Sequence, residues 1–281
     1  MEKIKIVTDS TVDISDELIE KYGISVVPLS LSINEETFLD RVDITPSEFI
    51  VKMRASRELP KSSQPSAGDF LAVYDRLHEE GYKVLSIHMT GGMSGTVRSA
   101  ETAAEMSKGD ITVVDSRYIS KALGFQVIEA AKMANQGESL DSILKRLDEI
   151  RMNTRLYVVV DTLENLVKGG RIGKGKAMIG SLLNIKPIAS LEGGEYTPVS
   201  KARSHSQVIQ YLVNRFVEDV KGKTIKGVGI THADGLKLAE RLSEEIKKKT
   251  GFAGNEIAET TPIISTHTGI GAIGFMYYFE P

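Results

Sequence analysis

The stretch KVLSIHMTGGMSGT, residues 83–96, decides the expected fold. Its first half is apolar and has the length of a buried strand, and its second half breaks into glycine and small hydroxyl residues. A helical pattern follows over residues 94–106. A strand, a glycine-bearing loop and a helix in this order are typical of an α/β protein with a parallel sheet, whose crevice lies at the carboxyl ends of the strands.

The same alternation extends over the chain on both sides of this stretch. We predict strands at residues 4–7, 84–89, 111–114 and 156–160, and helices at 15–22, 46–53, 94–106, 120–134 and 139–152. Beyond them, a hairpin is predicted around Gly193 and Gly194, because this pair tolerates the positive φ of a tight turn. The later apolar runs PIIS and AIGFMYYF are predicted as strands. We place a domain boundary near residue 160, which gives domains of residues 1–160 and 161–281.

Composition excludes several classes of function. The chain has 281 residues, with 35 Lys and Arg against 38 Asp and Glu and a net charge of −3, so no concentrated basic face for nucleic acid is expected. It contains no cysteine, which excludes disulfides, thiolate zinc sites, iron–sulfur clusters and cysteine nucleophiles. Neither an apolar signal core nor a run of the ~20 apolar residues that span a bilayer is seen, so we expect a cytoplasmic protein with no membrane span.

Motifs for nucleotides and metals fail on their context. The run GIGAIG, residues 269–274, fits the G-x-G-x-x-G spacing, but only seven residues follow it and they resemble a strand rather than the required helix. The run GGRIGKG lacks the spacing and the ending of a phosphate loop. None of the five histidines pairs with another at metal-ligand spacing on one helix face. We therefore expect no cofactor and no metal.

Two hydroxyl-rich loops are the informative feature. Ser62 and Ser63 lie in one loop, and Ser94 and Gly95 lie in the other, each shortly before a predicted helix. Exposed backbone N–H groups and hydroxyls at such a place favour a small anion, although each serine taken singly is also explained as a helix cap. His267 enters a glycine-rich turn, where side chains point into crevices. These residues predict an anion held by neutral donors.

Five motifs together give the chain a resemblance to a known family. They are TDSTVD (8–13), SSQPS (62–66), TGGMSGT (90–96), LENLVKGGRI (163–172) and THTGIGAIG (266–274). In this order, over nearly the whole length, the chain resembles the DegV family, which includes the fatty-acid-binding subunits of bacterial fatty acid kinase. The resemblance implies an N-terminal Rossmann-like domain with a parallel sheet, a C-terminal α/β domain with a mixed sheet, and one long-chain fatty acid in a tunnel between them.

The resemblance also implies which residues bind the carboxylate. In the family these are a hydroxyl of the T-S-Q-P loop, the serine of the S-G-T/S loop and the nearby histidine of the C-terminal glycine turn. The last two correspond to Ser94, beside Gly95, and His267. The family commonly has Thr-Thr-Ser-Gln-Pro where this chain has KSSQP, so both Ser62 and Ser63 stay open as the first contact.

The function that the resemblance implies is that of a carrier rather than an enzyme. The family presents the carboxylate to a fatty acid kinase catalytic subunit, which phosphorylates it with ATP to an acyl phosphate. Arg171 and Arg203 match the arginines with which the family docks that partner, although alone they are also explained as solvated side chains. The segments YVVV, PIIS, AIGFMYYF and AMIGSLL (177–183) are expected to line the tunnel or to be ordinary core.

Two other functions compete with the carrier. One is a serine-dependent esterase or thioesterase that uses Ser94 and His267, although Thr96 stands where the nucleophile elbow needs glycine and no matching acid is evident. The other is a ligand-responsive regulator, in which fatty-acid binding alters the contact with another protein. A fluorophosphonate label on Ser94 would favour the first alternative.

Overall fold

The computed structural model describes residues 3–178 and 185–281. Its strands are β1 (Ile4–Asp9), β2 (Ser25–Val27), β3 (Ser30–Ile33), β4 (Glu36–Leu39), β5 (Lys61–Ser63), β6 (Lys83–His88), β7 (Ile111–Asp115), β8 (Thr154–Val159), β9 (Lys186–Ser190), β10 (Thr197–Ala202), β11 (Thr224–His232), β12 (Glu256–Glu259) and β13 (Ile273–Glu280). Its α-helices are α1 (Asp16–Tyr22), α2 (Pro46–Ala55), α3 (Ala67–Glu79), α4 (Thr96–Met106), α5 (Ser120–Asn135), α6 (Leu140–Asn153), α7 (Glu164–Lys168), α8 (His205–Val220), α9 (Leu236–Thr250) and α10 (Pro262–Thr268). Short 3-10 helices occupy Gly173–Met178 and Glu192–Gly194.

The N-terminal part contains the predicted parallel sheet, in the order β2-β1-β6-β7. Its strands are apolar on both faces because helices or the second sheet cover each face. Val7 and Val84 belong to the core cluster under α3 and α4, whereas Ile6 and Leu85, one residue along each strand, belong to the large central cluster. The strand–helix alternation in the sequence thus predicted this sheet correctly.

The second sheet is mixed, with the order β10-β9-β8-β13-β11-β12. Its pairs are antiparallel except for β11 and β12. The predicted hairpin joins β9 to β10, and Gly193 and Gly194 have φ values of 80° and 84°, as the turn requires. Strand β8 ends just before residue 160 and pairs in this sheet. The boundary between residues 1–160 and 161–281 stays a prediction.

A third sheet has three antiparallel strands in the order β4-β3-β5, and Ser62 is the middle residue of its strand β5. The central core cluster contains residues from both large sheets, including Ile6 and Leu85 of the first and Leu156, Val158 and Met276 of the second. A separate cluster packs the far face of the mixed sheet against α8 and α9. The interface between the two large sheets is therefore one shared hydrophobic core.

The strand prediction for PIIS is wrong, because these residues begin helix α10. Pro262 is the first residue of the helix, where its fixed φ fits and its missing N–H costs nothing. Ile263 and Ile264 are both buried. The start of the helix therefore has no polar face in the sequence, and its pattern is the same as that of a buried strand. Of AMIGSLL, residues 177 and 178 end a 3-10 helix, and residues 179–184 lie outside the described residues.

No helix in the part of the chain that the structure describes is long and apolar enough to cross a membrane. Among residues 3–178 and 185–281, no group of three or more histidine, cysteine, aspartate or glutamate side chains has the arrangement of a metal site.

Candidate functional site

A narrow cavity of about 50 Å³ lies in the shared core between the two large sheets, and we call it the inner cavity. It is lined by Thr11, Leu29, Ser62, Met89, Met93, Ser94, Ile119, Val158, Leu166, Arg171, Leu191, Tyr196, Ile263, Ile264, His267 and Thr268. Most of these side chains are aliphatic or thioether groups, and they come from both halves of the chain. Such walls favour an apolar ligand, and the few polar groups can fix its orientation.

The inner cavity meets a second, charged depression at one end, which we call the outer groove. The outer groove has a volume of about 770 Å³ and shares Ser62, Arg171 and His267 with the inner cavity. Its other charged residues are the basic Arg57, Lys61 and Lys168 and the acidic Glu58 and Glu164. The three shared residues therefore form a polar junction between an apolar interior and a surface groove with an excess of positive charge.

Ser62 and His267 are brought together from positions 205 residues apart, with Ser62 Oγ 2.7 Å from His267 Nε2. Alternation along β5 turns the middle residue, Ser62, inward and leaves Ser63 exposed on the other face. Leu31 of β3 pairs with Ser62 and fixes its register. Only Ser62 of the two candidate serines therefore lines the inner cavity.

His267 lies in the last turn of α10 and is half-buried at the polar junction. Burial, and then the positive charge of Arg171, lower the pKa of His267 to about 4, so the imidazole is neutral near pH 7. Its Nδ1 has no hydrogen-bond partner among the described residues. A Cβ on Gly169 would lie 2.5 Å from this Nδ1, so only glycine at position 169 leaves room for the ring.

The second hydroxyl loop forms another wall of the cavity. Ser94 lines the inner cavity, and its Oγ lies 2.8 Å from the Oγ1 of Thr96. A Cβ on Gly95 would collide with the side chain of Gln64, so the two hydroxyl-rich loops pack tightly against each other. The partner of Ser94 is Thr96 and the partner of His267 is Ser62, so the contacts give no support to a Ser94–His267 nucleophile and base.

The two predicted docking arginines lie in different surroundings. Arg171 is half-buried, and its guanidinium donates to the carbonyl oxygens of Met93, at 3.0 Å, and Gly169, at 2.5 Å. It thereby ties the Ser94 loop to the chain beside His267. Arg203 is exposed between β10 and α8, and it lines neither the inner cavity nor the outer groove.

A fully buried acid–histidine–serine chain was not anticipated from the sequence. His88 Nδ1 lies 3.1 Å from Asp9 Oδ2, and His88 Nε2 lies 2.7 Å from Ser86 Oγ. This is the connectivity of a catalytic triad, but the three side chains are completely inaccessible to solvent and none lines the inner cavity. Asp9 also accepts the backbone N–H groups of Met89, at 2.8 Å, and Thr11, at 3.0 Å. These hydrogen bonds thus position Met89 and Thr11, which both line the inner cavity.

Helix α10 is held at its N-terminal end by Asp13, which the sequence pointed to only through the TDSTVD motif. The Oδ1 of Asp13 accepts the N–H of Thr261 at 3.0 Å, and its Oδ2 accepts the Thr260 hydroxyl at 2.7 Å and the hydroxyl of Ser120. Burial raises the pKa of Asp13 even though these donors oppose the rise. One buried carboxyl therefore joins the N-terminal part of the chain to the helix that carries His267.

Comparisons with known proteins agree over the whole length. A family model described as "Uncharacterised protein, DegV family" matches residues 3–280. A DegV domain-containing protein of Listeria monocytogenes is 45% identical over 281 residues, with all of both chains covered. One of Staphylococcus aureus is 40% identical over 276 residues, covering 98% of this chain and 99% of the relative.

Solved structures show the same architecture. A fatty-acid-binding DegV family protein from Thermus thermophilus has a TM-score of 0.93 and 34% identity, with 99% of each chain covered. DegV, a fatty acid binding protein from Bacillus subtilis, has a TM-score of 0.89 and 33% identity, with both chains covered completely. A fatty acid binding DegV family protein from Streptococcus agalactiae has a TM-score of 0.92 and 27% identity, also with complete coverage.

Proposed function

Because the chain belongs to the DegV family, we propose that it binds one long-chain fatty acid in the inner cavity, with the carboxylate at the polar junction. The observation that carries this proposal is the junction itself, where the apolar walls end at Ser62, Arg171 and His267 and meet the outer groove. The binding of fatty acids by the proteins from Thermus thermophilus, Bacillus subtilis and Streptococcus agalactiae supports it.

The acyl chain supplies most of the affinity. A palmitate-like chain offers about 15 carbons beyond the carboxylate, and at ~0.8 kcal/mol per buried methylene its full burial contributes about 10 kcal/mol before the costs of association. The aliphatic side chains that line the inner cavity, such as Leu29, Val158 and Ile264, provide the apolar surface for this burial. They must move apart to admit the whole chain, because the cavity of about 50 Å³ is smaller than the ligand.

Neutral donors bind the carboxylate. With the proton of His267 on Nε2, the ring donates to Ser62 Oγ, and the hydroxyl hydrogen of Ser62 is then free for a carboxylate oxygen. Ser94 supplies the second hydroxyl. The charge of Arg171, which lowers the pKa of His267, favours an anion at the same place without a bidentate clamp. These hydrogen bonds satisfy the buried carboxylate but still allow the fatty acid to leave the site, which suits a carrier.

The presentation of the carboxylate to a partner completes the proposal. The outer groove gives the carboxylate an open side, and its basic residues favour a phosphorylated co-substrate there. A carboxylate oxygen attacks the γ-phosphorus of ATP held by a fatty acid kinase catalytic subunit, the bond to ADP breaks, and an acyl phosphate forms. The present protein supplies the substrate but no catalytic group, and it acts in the cytoplasm. The exposed Arg203 contributes to docking of the kinase subunit.

Single serine substitutions test the binding site. We expect Ser62→Ala and Ser94→Ala each to weaken palmitate binding about tenfold, because each removes a hydrogen bond to a charged group. Ser63→Ala is the matched control, since Ser63 lies on the exposed face of the same strand and should change nothing. Affinities follow from displacement of a fluorescent fatty acid, and native mass spectrometry reports the acyl ligand directly. Failure of the wild-type protein to take up any acyl ligand would overturn the proposal.

The partner is tested separately. Acyl phosphate, trapped with hydroxylamine, should form only when this protein, an ATP-dependent fatty acid kinase and palmitate are combined. Ser94→Ala should lower that rate and Ser63→Ala should leave it unchanged. Formation of acyl phosphate at the same rate without this protein would rule out the carrier role while leaving fatty-acid binding intact.

A further inference from the structure

One tyrosine in the inner cavity has a hydroxyl group without a partner. Tyr196 follows the 3-10 turn Glu192–Gly194, lines the inner cavity and is 1% exposed. Its hydroxyl oxygen is buried and has no hydrogen-bond partner in residues 3–178 and 185–281. Burial of a phenol hydroxyl without a partner destabilises a protein, and a phenylalanine would fill the same space without that cost. A ligand that enters the cavity and accepts a hydrogen bond from this hydroxyl would account for its presence.

The ring of Tyr196 is fixed in place. Its backbone carbonyl accepts the N–H of Lys174 at 3.0 Å. A Cβ on Gly175 would lie 3.1 Å from Tyr196 Cε1 and 3.0 Å from Ile172 Cδ1, so the close approach of the chain to the ring depends on glycine. With its backbone hydrogen-bonded and its face covered, the side chain is held inside the cavity rather than free to turn to solvent.

The position of the hydroxyl points to the acyl chain rather than to the carboxylate. Ser62, Arg171 and His267 line both the inner cavity and the outer groove, whereas Tyr196 lines the inner cavity alone. Burial raises the pKa of Tyr196 with no contribution from a neighbouring charge, whereas the pKa of His267 is also lowered by Arg171. Tyr196 therefore lies outside the charged outer groove and beside the apolar walls of the inner cavity.

We propose that Tyr196 is a specificity-determining residue whose hydroxyl donates a hydrogen bond to an oxygen carried within the acyl chain, so that the protein favours hydroxy or oxo fatty acids over saturated ones. This inference rests on the proposed function, because the ligand must occupy the inner cavity with its carboxylate at the junction. Of the groups that occur in acyl chains, a hydroxyl or keto oxygen is the strong acceptor that satisfies a buried phenol.

The test compares wild type with Tyr196→Phe, a change that removes only the hydroxyl. The probes are stearate and a series of hydroxystearates that carry the hydroxyl at successive carbons, each measured by displacement of a fluorescent fatty acid. Wild type should bind at least one hydroxystearate about tenfold more tightly than Tyr196→Phe does, whereas stearate should bind both proteins equally or the variant more tightly. The ligand-free variant should melt at the same temperature as wild type or above it.

Tyr277→Phe provides the matched control, because Tyr277 is a buried tyrosine whose hydroxyl donates to Asp219 at 2.7 Å and which does not line the cavity. It should lose stability without a change in ligand preference. An equal effect of Tyr196→Phe on stearate and on every hydroxystearate, or no effect on any of them, would overturn the inference. Absence of binding of all the acids to wild type, stearate included, would instead overturn the proposed function.

Discussion

Strand alternation at a single position decides which serine lies at the site. From the sequence both Ser62 and Ser63 were open, because neighbouring hydroxyls in a loop have equivalent chemistry. The pairing of β5 with β3 turns Ser62 inward and Ser63 outward, and a three-residue strand is too short for its register to be predicted from hydrophobic pattern. The contact of Ser62 with His267, across 205 positions, depends on tertiary packing and has no signature in residue spacing.

Asp40 is a buried carboxyl that makes stability depend on pH. Its Oδ2 accepts the hydroxyl of Ser10 at 2.6 Å. Burial raises the pKa of Asp40 to about 7; Ser10 opposes the rise, nearby Asp13 adds to it, and the backbone N–H of Ile263 and the charge of Arg41 oppose it. The folded protein therefore keeps a proton that the unfolded chain releases near the ordinary value of about 3.9.

The sign of the pH effect follows from this proton. Between about pH 4 and pH 7 the folded state binds more protons than the unfolded state, so the free energy of unfolding falls by about 1.4 kcal/mol per pH unit, and above pH 7 this contribution stays constant. Asp40→Asn should remove this part of the slope, so that the free energy of unfolding of the variant increases relative to that of wild type as the pH rises towards about 7. Urea unfolding at about pH 5, 6, 7 and 8 measures the difference, and a difference that is independent of pH would contradict the assignment.

At the scale of elements, the five predicted helices agree with the structure within two residues at each end, whereas one apolar run was assigned the wrong element type. Ser15 accepts the N–H of Leu18 at the start of α1, and Thr45 forms a capping box with Glu48 at the start of α2, as polar caps before helical patterns indicate. The helix α10 was mistaken for a strand because its first residues are an apolar run that is buried on all sides. Periodicity carries no information where every face is buried.

Helix α10 transmits the anchoring of its N-terminal end to the site at its C-terminal end. The Thr260 hydroxyl donates to Asp13 at 2.7 Å just before the helix, and His267 lies in its last turn. We expect Thr260→Val to destabilise the protein by about 0.5–1.5 kcal/mol, because a buried hydrogen bond to the Asp13 carboxyl is lost. Loss of this anchor should also allow helix α10 to move. Because the helix has only seven residues, the movement should reach His267 and weaken its contact with Ser62.

Two measurements on ligand-free protein check this expectation. Chemical denaturation gives the loss of stability, and the imidazole nitrogen signals of His267 in NMR spectra report its hydrogen bond. Thr154→Val is the matched control, since the buried Thr154 hydroxyl donates to Ile150 O at 2.7 Å and does not line the cavity. Equal changes of the His267 signals in both variants would show that Thr260 has a general structural role only.

At the scale of the whole molecule, the proposed ligand occupies the core that joins the two large sheets. The central cluster combines residues of the parallel sheet with residues of the mixed sheet, and the inner cavity lies within it. The parallel sheet and the hairpin were predictable from alternation and turn residues, whereas the mixed sheet was expected only from the family resemblance. The cavity was not, because the same aliphatic side chains fill a solid core in other proteins, and only the packing distinguishes the two.

The last prediction is that removal of the fatty acid destabilises the protein as a unit. Delipidated protein should melt at a lower temperature, and palmitate at about 100 times its dissociation constant should restore about 2.7 kcal/mol of stability. Acetate is the control, because it has the same carboxylate but no chain to bury, and it should give no shift at the same concentration. Differential scanning calorimetry measures both. An equal shift with acetate and palmitate would show that the carboxylate, rather than the apolar interior between the sheets, provides the binding energy.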